Sequence, residues 1–140
     1  MSGAGKSTVL AEVVRRGYLT IDTDYDGWHV ADTRWDEQRM ASLLATHPTI
    51  AVCGTAENQG RFYDRFEHIV YLWVPTEVLL ERVRSRRDNP YGKTAEQQAD
   101  IARYVREIEP LIRAGATIEL DGQESIKALA DSIERCLSAP

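Results

Sequence analysis

The sequence contains few of the residues that cross-link a chain or leave it disordered. Its two cysteines, Cys53 and Cys136, lie far apart and outside any C-x-x-C spacing, so neither a disulfide framework nor a thiolate metal site is indicated. We interpret both as reduced residues that pack inside the protein. Nine glycines and five prolines among 140 residues are too few for a collagen-like or low-complexity chain.

Long apolar runs and an excess of positive charge are also lacking. The longest strongly apolar stretch, 69–74, is far shorter than the roughly 20 residues of a membrane span, so no transmembrane helix is predicted. The opening residues MSGAGKSTVL lack the basic start and apolar run of a secretory signal, and we expect a cytoplasmic protein. A formal net charge of −5 does not favour a nucleic-acid partner. Any site for a polyanion must therefore be local.

Composition and patterning indicate a single globular domain of the α/β class. Hydrophobic residues make up 43% of the chain and charged residues 28%, as is typical of such domains. Short apolar runs alternate with segments of helical spacing, which is typical of a parallel sheet with crossover helices. The polar and aromatic segment 23–35 shows neither the 3.6-residue period of a helix nor the two-residue period of a strand, and we predict a functional loop there. We predict strands at 18–22, 49–53, 69–74 and 117–120, and helices at 6–16, after Asp36, after Pro75, at 95–108 and near 126–137.

The strongest chemical signal is the segment 2–8, SGAGKST, which carries the G-K-[ST] end of the phosphate-loop (Walker A) pattern. Glycines let backbone amides surround phosphate oxygens, and the helix that follows offers its positive end. Lys6 is suited to reach the outer phosphates, and Ser7 is suited to bind Mg²⁺. An ordinary helix N-cap is the alternative, but the spaced glycines, lysine and hydroxyls together favour phosphate binding. The predicted nucleotide-binding residues are Gly3, Ala4, Gly5, Lys6, Ser7 and Thr8.

The phosphate-loop pattern is incomplete at its start. Its first glycine would precede Met1, as would the strand that normally leads into the loop. In parallel sheets of this kind that strand lies in the middle, so its loss would leave a gap with unpaired backbone groups on both sides. We therefore expect translation to begin several residues upstream, with Met1 inside the loop.

A pair of carboxylates follows the second predicted strand. Asp22 and Asp24, in IDTD, come at the carboxyl end of that strand, the edge where parallel sheets bind ligands. We predict that one of them deprotonates a hydroxyl acceptor or holds Mg²⁺ and that the other binds the acceptor. A helix cap or a solvated turn is the alternative. Neither a guanine-reading N-K-x-D motif nor a later strand ending in paired Asp-Glu is present, which disfavours switch GTPases and AAA-type ATPases.

Basic residues are concentrated between 82 and 93. Five of the 17 Lys and Arg residues fall there, around the turn-forming sequence NPYG. Guanidinium donors beside a turn suit a mobile lid that closes over nucleotide phosphates. A solvated helix end, where cations favour the helix dipole, is the alternative.

These features together resemble the nucleoside monophosphate kinase superfamily, and within it most the shikimate kinases. The resemblance covers nearly the whole chain. It implies a three-layer phosphate-loop fold, with a parallel sheet flanked by helices, in one kinase domain over 1–140 whose lid lies at about 82–94. It also implies that Asp22 is the magnesium or base carboxylate, that Asp24 is an acceptor ligand, and that ATP is the phosphate donor. Residues Arg84–Arg87 would form the lid, with Arg84 and Arg87, like Lys6 and Asp22, in the catalytic set.

One segment departs from the shikimate kinases and leaves the acceptor open. Their glycine-rich triplet after the third strand is replaced here by GTAENQGR at 54–61. The segments NQGRFYDRF and NPYGKT instead resemble a group of little-characterised bacterial ATP-binding proteins. Arg61, Arg65 and Arg106 are candidates to bind an anionic acceptor. Three aromatic residues either stack on an acceptor ring or cover the edge of the sheet: Tyr25, Trp28 and Trp35.

We therefore predict a kinase that transfers the γ-phosphoryl group of ATP, with Mg²⁺, to a small hydroxylated or phosphorylated metabolite. Two other hypotheses stay open at this point. The first is a nucleotide-dependent regulatory ATPase module without an acceptor, and the second is an inactive remnant. The sequence does not identify the acceptor or the oligomeric state.

Overall fold

The computed structural model describes residues 5–31, 33–85 and 93–138. Contacts divide the chain into two compact units, the first made of Met1–Lys6 with Ile69–Glu124 and the second of Ser7–His68 with Ser125–Pro140. The helices are α1 (Lys6–Arg15), α2 (Glu37–Thr46), α3 (Thr76–Ser85), α4 (Ala95–Glu107), α5 (Glu109–Ala114) and α6 (Ile126–Ser138), with a 3-10 helix at Gln59–Arg65. The strands are β1 (Thr20–Asp22), β2 (His29–Val30), β3 (Arg34–Trp35), β4 (Ala51–Cys53), β5 (Val70–Trp73) and β6 (Ile118–Asp121).

The first unit is built on a parallel pair of strands. β5 pairs with β6 in a register that runs from Val70 opposite Ile118 to Trp73 opposite Asp121. The continuous apolar run that forms β5 matches a strand with both faces covered. Pro75 precedes α3, whose buried positions Leu79 and Val83 are four residues apart and therefore share one helical face. The core of this unit joins four buried side chains: Val74, Leu79, Val83 and Ile101.

The second unit holds another parallel pair, β1 with β4, in register from Thr20 opposite Ala51 to Asp22 opposite Cys53. Asp36 caps α2 by accepting a hydrogen bond from the Arg39 amide at 3.1 Å, as the sequence predicts. The antiparallel hairpin β2–β3 lies in the segment that we expected to be a loop. Its strands contain only two residues each, too few to show a period of two. The core of this unit consists of Trp28, Trp35, Met40 and Phe62.

An ion-pair cluster ties α6 to the end of α1 within the second unit. The Arg16 guanidinium lies 3.0 Å from Glu12, 2.7 Å from Asp131 and 2.8 Å from Glu134. Hydrogen bonds from Arg15 and Arg16 lower the pKa of Glu12 from 4.5 to about 2. Arg16 and Lys127 likewise lower the pKa of Asp131. Several charges that share one guanidinium form a network, which contributes more to stability than an isolated surface pair.

The structure confirms the predicted helices and parallel strands, with shorter strands than the sequence suggests. The parallel strands form two separate two-stranded ladders among the described residues. Gly17 has a φ of +96°, as expected for a glycine that ends a helix. Within 5–31, 33–85 and 93–138, no helix is long and apolar enough to cross a membrane.

Candidate functional site

The described part of the phosphate loop begins at Gly5, directly before α1. Gly5 has a φ of +93°, a conformation that favours glycine. The first turn of α1 contains no acidic residue, and the side chains of Ser7 and Thr8 are exposed. Four N–H groups at a helix start have no partner within the helix, so this end of α1 suits an anion. Gly3 and Ala4, the other predicted loop residues, lie outside the described residues.

Arg82, on α3, lies beside this loop within the first unit. Its Nη1 atom is 3.9 Å from the position that a Cβ would take on Gly5. Its Nη2 donates a hydrogen bond of 2.9 Å to the backbone oxygen of Gly122, in the turn after β6. The guanidinium is thus bonded to the turn after β6 and lies close to Gly5, where its positive charge suits an anion at the loop.

From the sequence, Arg82 counts among the basic residues of the predicted lid and is not singled out, although the helical period contains the signal. Arg82 follows buried Leu79 by three positions and precedes buried Val83, so it projects from the inward side of α3. Arg84, one of the two lid arginines that we predicted to be catalytic, is 51% exposed. Its guanidinium lies 3.5 Å from Glu81 in its own helix, and the structure does not bring it to Gly5. Arg87 lies outside the described residues.

The two carboxylates of IDTD lie at the end of β1, Asp22 as its last residue and Asp24 in the turn that follows. An Asp22 carboxylate oxygen accepts a hydrogen bond of 3.0 Å from the Asp24 amide. Asp22 is half-buried and Asp24 is exposed. Thr23, between them, is 1% exposed and donates its hydroxyl hydrogen bond to the Cys53 carbonyl at 3.0 Å. The turn that carries Asp24 is thus attached to the end of β4 through Thr23.

The residues predicted to hold Mg²⁺ have the right chemistry for it. Ser7 offers an exposed hydroxyl, and the second carboxylate oxygen of Asp22 has no hydrogen bond among the described contacts. The described residues contain no group of three or more His, Cys, Asp or Glu side chains that could enclose a metal ion. Mg²⁺ typically takes one or two protein ligands and completes its shell with phosphates and water, so Ser7 and Asp22 fit this ion.

Of the predicted acceptor arginines, Arg61 is the one with an ion-pair partner outside its own helix among the described residues. Its Nη1 atom lies 3.2 and 3.3 Å from the carboxylate oxygens of Glu37, whose pKa is lowered by Asn58, Arg61 and Arg34. Arg65 is exposed at the end of the 3-10 helix. Arg106 is 71% exposed and lies 4.0 Å from its neighbour Glu107. The role of these three arginines as acceptor ligands stays a prediction.

Two of the three candidate aromatic residues are part of the core. Trp28 and Trp35 are each 5% exposed, which favours coverage of the sheet over stacking on an acceptor. The Arg39 guanidinium lies over the Trp28 ring, 3.8 Å from its centroid, and donates a hydrogen bond to the Asp26 carbonyl at 2.7 Å. Tyr25 is 65% exposed. Of the three, Tyr25 alone has a ring available for stacking.

Comparison with known proteins identifies relatives of this chain. The uncharacterized protein YqaC of Bacillus subtilis is 34% identical over 101 residues, which cover 65% of this chain and 55% of YqaC. The chain thus spans about half the length of that relative. The shikimate kinase of Aromatoleum aromaticum is 31% identical over 144 residues, covering 87% of this chain and 81% of that enzyme. No protein-family model matches the sequence.

The fold has a counterpart among solved structures. The shikimate kinase of Acinetobacter baumannii, solved in complex with shikimate, superimposes with a TM-score of 0.67 over 95% of this chain and 86% of that chain, at 19% identity. This likeness confirms the predicted phosphate-loop α/β fold. The sequence match to the Aromatoleum enzyme extends over most of both proteins. The chain therefore belongs to the shikimate kinase family of phosphate-loop small-molecule kinases.

Proposed function

We propose that the chain transfers the γ-phosphoryl group of ATP to a hydroxyl group of a small anionic metabolite. The observation that carries this proposal is the phosphate loop itself, in which Gly5 opens α1 directly before Lys6 and lies beside Arg82. A helix start, a lysine and a guanidinium concentrate positive charge where the phosphates of a nucleotide would bind. Family membership supports ATP as the donor.

The reaction needs charge neutralisation, orientation and removal of one proton. The acceptor oxygen forms a bond to the γ-phosphorus while the bond from that phosphorus to the β,γ-bridging oxygen breaks, and ADP leaves. Lys6 and Arg82 stabilise the negative charge that develops on the phosphoryl and leaving oxygens. Asp22 accepts the proton of the hydroxyl or binds Mg²⁺, and Asp24 orients the acceptor. Mg²⁺ held by Ser7 and Asp22 would neutralise phosphate charge.

The lid and the anion contacts complete the proposed site. Arg84 and Arg87 close over the nucleotide, a role that the exposure of Arg84 in the present structure permits. Arg61, Arg65 and Arg106 bind the anionic group of the acceptor. Shikimate is the first acceptor to test, because the named relatives are shikimate kinases. The replaced glycine-rich segment at 54–61 makes related hydroxylated acids and phosphorylated sugars the next candidates.

A coupled assay of ADP release tests the proposal. The wild-type protein is given ATP, MgCl₂ and each acceptor in turn, with shikimate first and hydroxylated acids and sugar phosphates after it. We expect one acceptor class to stimulate ADP release and Lys6→Ala to abolish that stimulation while the variant stays folded. ADP release that no acceptor stimulates would contradict the kinase proposal and favour the regulatory ATPase hypothesis.

A further inference from the structure

The side-chain amide of Asn58 connects two segments that are distant in sequence. Asn58 is 4% exposed and precedes the 3-10 helix, but it makes no capping hydrogen bond there. Its Oδ1 accepts a hydrogen bond of 2.9 Å from the Trp35 amide, and its Nδ2 donates one of 3.0 Å to the Trp35 carbonyl. One side chain thus pairs with both backbone groups of Trp35, as a neighbouring strand would.

Neighbouring contacts attach residues on both sides of Asn58 to the same hairpin. The Glu57 amide donates to the Thr33 carbonyl at 2.7 Å. The rings of Trp35 and Phe62 pack with centroids 6.1 Å apart, and both are nearly fully buried. The 3-10 helix is therefore attached to the β2–β3 hairpin on both sides of Asn58.

The same amide also reaches the ion pair that holds Arg61. Asn58 Nδ2 donates a hydrogen bond of 3.1 Å to Glu37 Oε2, and Glu37 in turn binds the Arg61 guanidinium at 3.2 Å. Arg34 lies 3.3 Å from the same carboxylate. Asn58 thus fixes both the backbone that carries Arg61 and the carboxylate that orients its side chain.

We propose that Asn58 is a positioning residue that holds Arg61 and Arg65 in place for the anionic group of the acceptor. This inference rests on the proposed function, in which those arginines bind the acceptor. Asparagine suits the position because an amide accepts from one backbone group and donates to another. An aspartate of the same shape has no donor and would place a second carboxylate beside Glu37. Asn58→Asp therefore removes the hydrogen-bond donor of the side chain and keeps the size of the side chain.

The chain offers a matched control one residue later. The Gln59 Oε1 atom accepts a hydrogen bond of 2.8 Å from the Ala56 amide, and its Nε2 bonds to Tyr63, so its contacts remain within its own segment. Gln59→Glu makes the same amide-to-carboxylate change without touching the hairpin. The steady-state KM values for ATP and for the acceptor are measured in both variants and in wild type, with shikimate or the acceptor that the screen identifies.

We expect Asn58→Asp to raise the acceptor KM about tenfold or more, since hydrogen bonds to charged groups are lost, and to leave the ATP KM within about twofold. Gln59→Glu should leave both values near wild type. A merely structural role would lower the active fraction, and hence the maximal rate, without moving either KM. Parallel changes in both KM values, or none in either, would overturn the proposal.

Limited trypsin digestion supplies a readout that needs no acceptor. Cleavage after Arg61 and Arg65 should be several-fold faster in Asn58→Asp than in Gln59→Glu, because the segment is no longer attached to the hairpin. If the wild-type protein turns over no acceptor, the proposed function fails, and the cleavage rates alone decide on Asn58. Equal cleavage in the two variants would reject the positioning role.

Discussion

Substituting Gly54 with alanine tests how the end of β4 positions the IDTD carboxylates. Gly54 has a φ of +130°, and a Cβ built on it would lie within van der Waals overlap of Thr23 Oγ1. Thr23 is fully buried between Asp22 and Asp24, and its hydroxyl is bonded to the Cys53 carbonyl. Alanine at 54 must therefore strain the backbone and displace Thr23 together.

The expected magnitude follows from these separate costs. An L-residue in a sparsely populated φ region costs about 1–3 kcal/mol. Overpacking of a buried contact costs about 1–3 kcal/mol more. We expect Gly54→Ala to lower the free energy of unfolding by about 4 kcal/mol, a large part of the typical stability of a domain.

Two other glycines separate the cost of backbone strain from the cost of overpacking. Gly17 has a φ of +96° but nothing within 4 Å of its Cβ position, so Gly17→Ala should cost only the backbone term, about 2 kcal/mol. Gly60 has open space and no left-handed φ, so Gly60→Ala should stay within about 0.5 kcal/mol of wild type. Urea denaturation with the m-value monitored measures all three. Equal stability of Gly54→Ala and Gly60→Ala would refute the reasoning.

Further predictions concern the loop and the ion-pair cluster. Lys6→Ala should abolish turnover and leave the urea midpoint unchanged; retained turnover would reject the phosphate-loop assignment. Arg82→Gln should weaken ATP binding about tenfold by titration calorimetry, because it removes a cation beside the phosphates, and unchanged affinity would place the nucleotide elsewhere. Folding lowers the pKa of Glu12 from 4.5 to about 2, so the ionised carboxylate stabilises the folded state fully above pH 4.5. This stabilisation is lost as the pH falls towards 2 and the carboxylate is protonated. Urea midpoints measured over this range should therefore fall less steeply in Arg16→Gln than in wild type, and identical slopes would contradict the network.

The sequence predicted those parts of the fold that local patterns determine. The helices at 6–16 and 95–108 and the strand at 69–74 have clear periods or long apolar runs, and the structure places elements there. The β2–β3 hairpin was missed because tertiary contacts define it, with Trp28 and Trp35 buried in the core and Asn58 paired to the backbone of Trp35. Such contacts between distant residues leave no periodic signal in the chain.

The sequence offers clear candidates for the site where short patterns carry the chemistry. Lys6, Ser7 and Asp22 come from such patterns, and their roles stay predictions. The choice among arginines was harder, because composition marks a basic segment without telling which side chain faces inward. Arg82 and Arg84 differ by two positions on α3, and the helical period turns one towards Gly5 and the other towards solvent.

Phosphorus NMR of the γ-phosphate tests the central claim most directly. The protein is mixed with ATP, MgCl₂ and the acceptor that stimulates ADP release, and the spectrum is followed over time. We predict that the γ-phosphate signal is replaced by that of a phosphomonoester of the acceptor, and that Lys6→Ala gives no such signal. Conversion of the γ-phosphate to inorganic phosphate alone would contradict the assignment of this chain as a kinase.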